Sequence, residues 1–222
     1  MVHVNHVRSR IRQAAVTAGR DPESVTLVAV SKSKPAELVR SAATAGVTDF
    51  GENYVQEALL KLDQLDDLAL RWHFIGGLQS NKTRAVAERF AWVHSVDRFS
   101  VARRLSEQRP FHAPPLNLCI QVALVPEPTK RGVEPASLPD LAARTRDLPR
   151  IKLRGLMCVP PPQPNVAAER AVFSRLRALL EELNEQGHDL DALSMGMSSD
   201  FESAIAEGAT HVRIGTAIFG SR

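Results

Sequence analysis

The sequence predicts an α/β fold: a single (β/α)8 TIM barrel with an extra N-terminal helix, one domain over residues 1–222. Three observations carry this. Eight short apolar runs recur along the chain, stretches with helical spacing separate them, and several of the runs are nearly continuous in apolar residues. Continuous apolar runs suit parallel strands covered on both faces. Alternating strands and helices call for a parallel sheet with helices outside, and eight such units in one chain of 222 residues point to a closed barrel. An open, doubly wound sheet is the competing arrangement.

The leading segment puts Val4, Val7, Ile11, Ala14 and Ala18 on one helical stripe. Strands are expected at 25–30, 47–50, 72–75, 91–94, 116–124, 151–157, 190–195 and 211–214. Helices are expected to begin near Pro35, Asn53, Asn81, Asp97, Ser137 and Ser198. Pro35 suits a first helical turn, where an amide has no intrahelical partner to lose. The clearest helix is 166–187: Glu169, Val172, Phe173, Leu176, Leu180 and Leu183 step by three or four, and Gly187 ends the pattern. The proline-rich stretches at 126–128 and 160–164 read as stiff rim loops rather than domain boundaries.

Composition excludes several classes of function. Lys and Arg number 28 against 25 Asp and Glu, and a net charge of +3 is too small to imply a nucleic-acid partner. With 8 Phe, 2 Trp and 1 Tyr, there is little to stack on bases. No apolar run reaches membrane-spanning length, and no apolar segment follows the start as in a signal peptide. Cys119 and Cys158 form neither a disulfide framework nor a zinc knuckle, so a reduced, cytoplasmic setting is expected. No His/Cys/Asp/Glu cluster has metal-ligand spacing, and there is no GxGxxG, Walker loop or GxSxG elbow.

A barrel of this kind carries its site on the loops that follow the strands. Lys32 follows the apolar run Val25-Thr26-Leu27-Val28-Ala29-Val30, just past its end. A lysine held there loses hydration, which favours the neutral amine and lets it attack an aldehyde to form a Schiff base. The alternative is a rim lysine whose amine reaches water. Lys34, directly before Pro35, is expected to face outward.

After the seventh run, Gly196 lets backbone approach a ligand. Ser199-Asp200-Phe201-Glu202 reads as a capping box, which leaves the amides of Ser198 and Ser199 pointing outward. Gly215-Thr216, after the eighth run, adds two amides and a hydroxyl. These two loops commonly hold phosphate in such barrels. Arg213 ends the last run, and a buried arginine needs an acceptor, either in the pocket or in an internal ion pair. Asn53 and His73 are either pocket walls or satisfied polar residues of the barrel. An amine facing a phosphate cradle suits pyridoxal 5′-phosphate (PLP). A class I aldolase acting on a sugar phosphate uses similar parts, and position alone does not choose.

Longer stretches bear on that choice. They are Ala29-Val30-Ser31-Lys32-Ser33-Lys34-Pro35, Phe50-Gly51-Glu52-Asn53-Tyr54-Val55-Gln56-Glu57, Trp72-His73-Phe74-Ile75-Gly76, and Leu78-Gln79-Ser80-Asn81-Lys82. Further along come Arg154-Gly155-Leu156-Met157, Leu193-Ser194-Met195-Gly196-Met197-Ser198, and Val212-Arg213-Ile214-Gly215-Thr216-Ala217-Ile218-Phe219-Gly220. In order, and over essentially the whole chain, these resemble the pyridoxal phosphate homeostasis protein family. The resemblance implies a barrel similar to the N-terminal domain of alanine racemase, with PLP as cofactor. It implies that Lys32 holds PLP as an internal aldimine and that Asn53 and His73 line the pocket beside the ring. Ser198, with the backbone of Met197, Gly215 and Thr216, would hold the phosphate, and Arg213 would approach the pyridine nitrogen. Lys130 matches a family lysine proposed to hold cofactor at a second place. Gly77 stands where proline is expected, Ser199 where aspartate or another polar residue is expected, and Cys158 where a small apolar residue is usual. Pro126 and Pro128 occupy a loop that is polar in the family.

The function implied is intracellular PLP (vitamin B6) homeostasis: a cytoplasmic, monomeric protein that buffers PLP or delivers it to apo PLP-dependent enzymes, with no catalytic residue. An arginine at the pyridine nitrogen disfavours its protonation and makes the ring a poor electron sink. Alanine racemase draws a tyrosine from a second domain, whereas the only tyrosine here is Tyr54. The alternative, a fold-type III PLP-dependent amino acid racemase, needs a second proton-transfer group opposite Lys32: Tyr54, His73 or a residue from a partner chain.

Overall fold

The computed structural model describes residues 3–125 and 131–220. A leading helix, α1 (Val4–Thr17), precedes eight strand–helix units. The strands are β1 (Thr26–Val30), β2 (Asp49–Glu52), β3 (Arg71–Phe74), β4 (Trp92–Val96), β5 (Leu116–Gln121), β6 (Ile151–Met157), β7 (Ala192–Ser194) and β8 (His211–Ile214). The helices that follow them are α2 (Ala36–Thr44), α3 (Val55–Gln64), α4 (Thr83–Arg89), α5 (Phe99–Gln108), α6 (Leu138–Arg146), α7 (Val166–Glu185), α8 (Phe201–Ala206) and α9 (Thr216–Phe219). The strands pair in parallel in chain order, and β1 closes on β8. The closed barrel stands, and the open doubly wound sheet does not.

Each strand alternates between two environments, as a pleated strand must. One face packs under the helices: Ala29, Phe50, Phe74, Val93, Leu118, Leu193 and Val212 belong to the main apolar core, together with Val4, Val7 and Ile11 of α1 and Phe173, Leu176 and Leu183 of α7. The other face points into the barrel. There Trp92, Cys119, Met157 and Ala192 form a separate small apolar cluster. It sits among buried polar side chains, including Asp49, His73, His94, Ser194, His211 and Arg213. Layers of branched apolar residues normally fill such an interior; here much of it is polar, so every donor and acceptor inside needs a partner.

Strand and helix ends shift by one to a few residues from the sequence expectation. β2 begins and ends two residues later, running through Gly51 and Glu52 rather than stopping at Phe50. A 3-10 turn, Ser80–Lys82, precedes α4. Lys34 is half-buried rather than outward: its Nζ donates to the carbonyls of Phe219 and Gly220, at the C-terminal end of α9, where a cation meets the negative pole of the helix. No helix among the described residues is long and apolar enough to cross a membrane, and no His/Cys/Asp/Glu group among them is arranged to hold a metal ion.

Candidate functional site

At the C-terminal rim of the strands lies a cavity of about 400 Å³, within the range that encloses a small ligand. Its polar lining is Lys32, Asn53, Ser198, Ser199, Arg213 and Thr216; Val30, Ile75, Val159 and Met197 supply apolar wall, and Gly215 completes it. Seven of the eight sequence-predicted site residues meet here: Lys32, Asn53, Met197, Ser198, Arg213, Gly215 and Thr216.

Lys32 reaches the cavity because the turn that carries it is bolted from behind. Ser31 Oγ donates to Glu52 Oε1 (2.6 Å), and the Ser33 amide donates to Glu57 Oε1 (2.6 Å) with Ser33 at φ 58°. Lys61 of α3 gathers these groups. Its Nζ donates to the Ser31 carbonyl (2.6 Å), Glu52 Oε1 (2.7 Å) and Glu57 Oε1 (2.6 Å). Burial pushes the Glu52 carboxyl above its ordinary pKa, against the opposing pull of Lys61 and Ser31. Lys32 itself is half-buried and enters no ion pair among the described residues. Sequence reasoning missed Lys61. Its four-residue offset from Glu57 marks a helical ion pair, but nothing local says that the pair turns inward.

The opposite wall comes from the loops after β7 and β8. Gly196 takes φ +92°, and a Cβ there would meet Ala204 Cβ at 2.7 Å and Phe201 Cα at 3.0 Å. Packing on α8 therefore requires glycine at this position. The capping box does not form. Asp200, not Ser199, stands at the N-cap position of α8; its side chain caps no helix amide, and its Oδ1 instead accepts from the Met197 amide at 2.6 Å. Glu202 instead faces Arg10, whose Nε donates to it at 2.7 Å. The cap is displaced because the loop closes one residue later, through the Met197 carbonyl, which accepts from the amides of Asp200 and Phe201. The Met197 amide is thus already used and is not a free phosphate donor. The amides of Ser198 and Ser199 are absent from the backbone bonds that the described residues make in their loops. Those of Thr216 and Ala217 open α9 and have no intrahelical acceptor.

Arg213 lies in the floor. It makes no internal ion pair among the described residues: Nη1 donates to Ser194 Oγ (2.7 Å) and Nη2 to the Cys158 carbonyl (2.8 Å). Burial lowers its pKa from the ordinary value. His73 does not join the site. It is fully buried inside the barrel, between Asp49 and His94 (3.0 and 2.9 Å), below the cavity rather than beside it. Its strand position points it inward, but the stagger of the barrel sets it one layer too deep. Tyr54 is 55% exposed and lines a neighbouring cavity with Gln79, Lys82 and Arg131. Arg131 lies over Gly77, in space that a side chain there would need. Lys130, with Pro126 and Pro128, lies outside the described residues. Cys119 and Cys158 are free and buried, and burial pushes both thiols up to about 12.

The profile of the alanine racemase N-terminal domain matches residues 2–222. A pyridoxal phosphate homeostasis protein from Pseudomonas aeruginosa is 59% identical over 220 residues, covering 99% of this chain and 94% of that protein. The chain belongs to this family. A pyridoxal phosphate homeostasis protein from Escherichia coli K12 is 48% identical over 219 residues, covering 97% and 94% of the two chains. PipY of Synechococcus elongatus, solved with PLP bound, superposes with a TM-score of 0.84 at 42% identity, covering 95% of this chain and 100% of that one. Alanine racemase from Corynebacterium glutamicum, at 18% identity and a TM-score of 0.71 over 61% of its length, shares the fold alone.

The residues of this member of the pyridoxal phosphate homeostasis family fit that cofactor. Asn53 Oδ1 is buried and has no hydrogen-bond partner among the described residues, although buried acceptors are normally satisfied. Gly76 carries no side chain because a Cβ would strike the Asn53 backbone, so the two loops meet and hold Asn53 against the cavity. An amine, an unmet amide side chain, a buried guanidinium and open amides thus surround one space.

Proposed function

We propose that this chain is a PLP-binding protein of intracellular vitamin B6 homeostasis, a cytoplasmic monomer with one barrel domain over residues 1–222. It holds PLP as a Schiff base on Lys32 and buffers the cofactor, or delivers it to apo PLP-dependent enzymes, rather than turning over a substrate. One observation carries the reading: Lys32, Ser198, Ser199 and Thr216 line a single cavity, with Arg213 in its floor.

When bound, PLP supplies an aldehyde that condenses with amines and a ring that accepts electron density. Lys32 provides the amine for the aldehyde. Ser198, Gly215 and Thr216 provide hydroxyl and backbone donors for the phosphate. Asn53 provides an amide for a ring substituent. Arg213 donates hydrogen bonds and accepts none; a guanidinium presented to a ring nitrogen opposes its protonation and weakens the electron sink. Among the described lining residues only Lys32 and Arg213 are titratable. A proton moved by Lys32 therefore has no second group there to deliver it at the opposite face, which favours holding over racemisation.

The test is a PLP titration of the protein followed by fluorescence, with Thr216→Ala beside the wild type. Loss of one hydrogen bond to a charged group predicts weaker binding by roughly 1.5–3 kcal/mol; equal affinity would remove Thr216 from the phosphate site. Incubating the loaded protein with alanine in deuterated water is expected to give no α-proton exchange above that of free PLP. Faster exchange would favour the racemase.

A further inference from the structure

Beneath the cavity a chain of hydrogen bonds crosses the barrel interior. Arg213 Nη1 donates to Ser194 Oγ (2.7 Å), and Ser194 Oγ lies 2.6 Å from His94 Nδ1. His94 Nε2 lies 2.9 Å from His73 Nδ1, and His73 Nε2 lies 3.0 Å from Asp49 Oδ1. Arg71 closes the far end, with Nε and Nη2 each 2.8 Å from an Asp49 oxygen. His73, His94 and Ser194 have no exposed surface, and Asp49 and Arg213 are each 5% exposed.

Elementary donor and acceptor rules fix the protons along this chain. A guanidinium only donates and a carboxylate only accepts. With both rings neutral, the Asp49 carboxylate accepts from His73 Nε2, which leaves His73 Nδ1 to accept from His94 Nε2. His94 Nδ1 then accepts the Ser194 hydroxyl proton, and Ser194 Oγ accepts in turn from Arg213. Every bond runs in one direction, from the arginine at the cavity to the carboxylate at the barrel's other end. Running it backwards loses the bond at Asp49 or requires a charged ring at His73, and burial opposes charge on both rings.

We propose that Asp49, His73, His94 and Ser194 are a positioning relay: a hydrogen-bond chain with one proton arrangement that fixes the Arg213 guanidinium toward the cofactor cavity. None of the four touches the cavity; they act through Arg213. With Nη1 held by Ser194 and Nη2 by the Cys158 carbonyl, the guanidinium cannot swing, and its remaining N–H groups have a fixed aim. The relay gives His73 a role that its place below the cavity denies it directly. What the relay does for bound PLP rests on the function proposed above; its proton arrangement does not.

The experiment therefore has two arms. Long-range 1H–15N NMR of the histidine rings in cofactor-free wild-type protein should show His73 and His94 both protonated at Nε2 alone. A His94 ring protonated at Nδ1 overturns the relay whatever the protein binds. The second arm compares Ser194→Ala and Ser194→Thr with wild type after PLP loading. Losing the hydroxyl frees the guanidinium, so Ser194→Ala should shift the absorbance band of bound PLP and weaken binding about tenfold or more, the effect of one hydrogen bond to a charged group. Ser194→Thr keeps the hydroxyl and should restore both. A folded Ser194→Ala protein with unchanged band and affinity overturns the proposal while PLP binding stands. If wild type takes up no PLP, the proposed function fails and the tautomers alone decide the relay; they also decide it if Ser194→Ala does not fold.

Discussion

Replacing Lys61 by methionine is expected to cost about 3–5 kcal/mol of folding stability, the usual result of removing one partner from a buried ion pair. Lys61 is 5% exposed and Glu52 is fully buried. Among the described residues Glu52 Oε2 has no hydrogen-bond partner, so the carboxylate is compensated through Oε1 alone, which accepts from Lys61 and Ser31. Methionine keeps much of the side-chain volume but leaves that carboxylate uncompensated. The same substitution unties the Ser31 carbonyl and Glu57 from each other, and with them the turn that carries Lys32. A urea titration measures the loss as a lower midpoint at constant slope. Adding Glu52→Gln to the methionine variant should recover part of the stability, because a neutral amide tolerates burial better. A loss below about 1 kcal/mol would mean that the pair is solvated like a surface bridge.

Acid lability is the second large effect. Burial lowers the pKa of His73, puts that of His94 well below its ordinary value and takes that of His211 to about 3. In the unfolded chain each of these rings takes up a proton near pH 6.5. The unfolded state then binds more protons than the folded one, so stability falls as pH drops below about 6.5, by about 1.4 kcal/mol per ring per pH unit. For His211 the loss continues down to about pH 3. Burial alone would raise the pKa of Asp49, but the hydrogen bonds from His73 and Arg71 hold it well below the usual carboxylate range. Its contribution has the same sign, present above about pH 3.9 and lost as pH falls through the lower folded value. The urea midpoint should be steady above about pH 7 and fall steeply from pH 6.5 to 5. A flat midpoint across that interval would mean that the three rings titrate as they do in water.

The barrel was legible because its signal is repeated: eight apolar runs with helical stretches between them admit few architectures. Once the fold is known, all strand ends share one rim, so Lys32, Asn53, Ser198, Arg213, Gly215 and Thr216 converge without further information. What stayed hidden depends on depth and on partners far along the chain. His73 and Arg213 both point inward from strands, and only the barrel's stagger sets one below the cavity and the other in its floor. β2 continues through Glu52 because Lys61, in the next helix, compensates a charge that a strand would not otherwise bury. The resemblance assigned the Met197 backbone to the phosphate, whereas the Asp200 side chain, three residues on, already holds that amide.

Lys32 is the residue proposed to hold the cofactor. To test this, the purified protein is loaded with PLP and reduced with borohydride, and its peptides are mapped by mass. The expected result is an absorbance band that reduction abolishes and one pyridoxyl adduct, on Lys32, which is missing in Lys32→Ala. A protein that takes up no PLP, or an adduct on Lys34 or Lys130 with Lys32 unmodified, would contradict it.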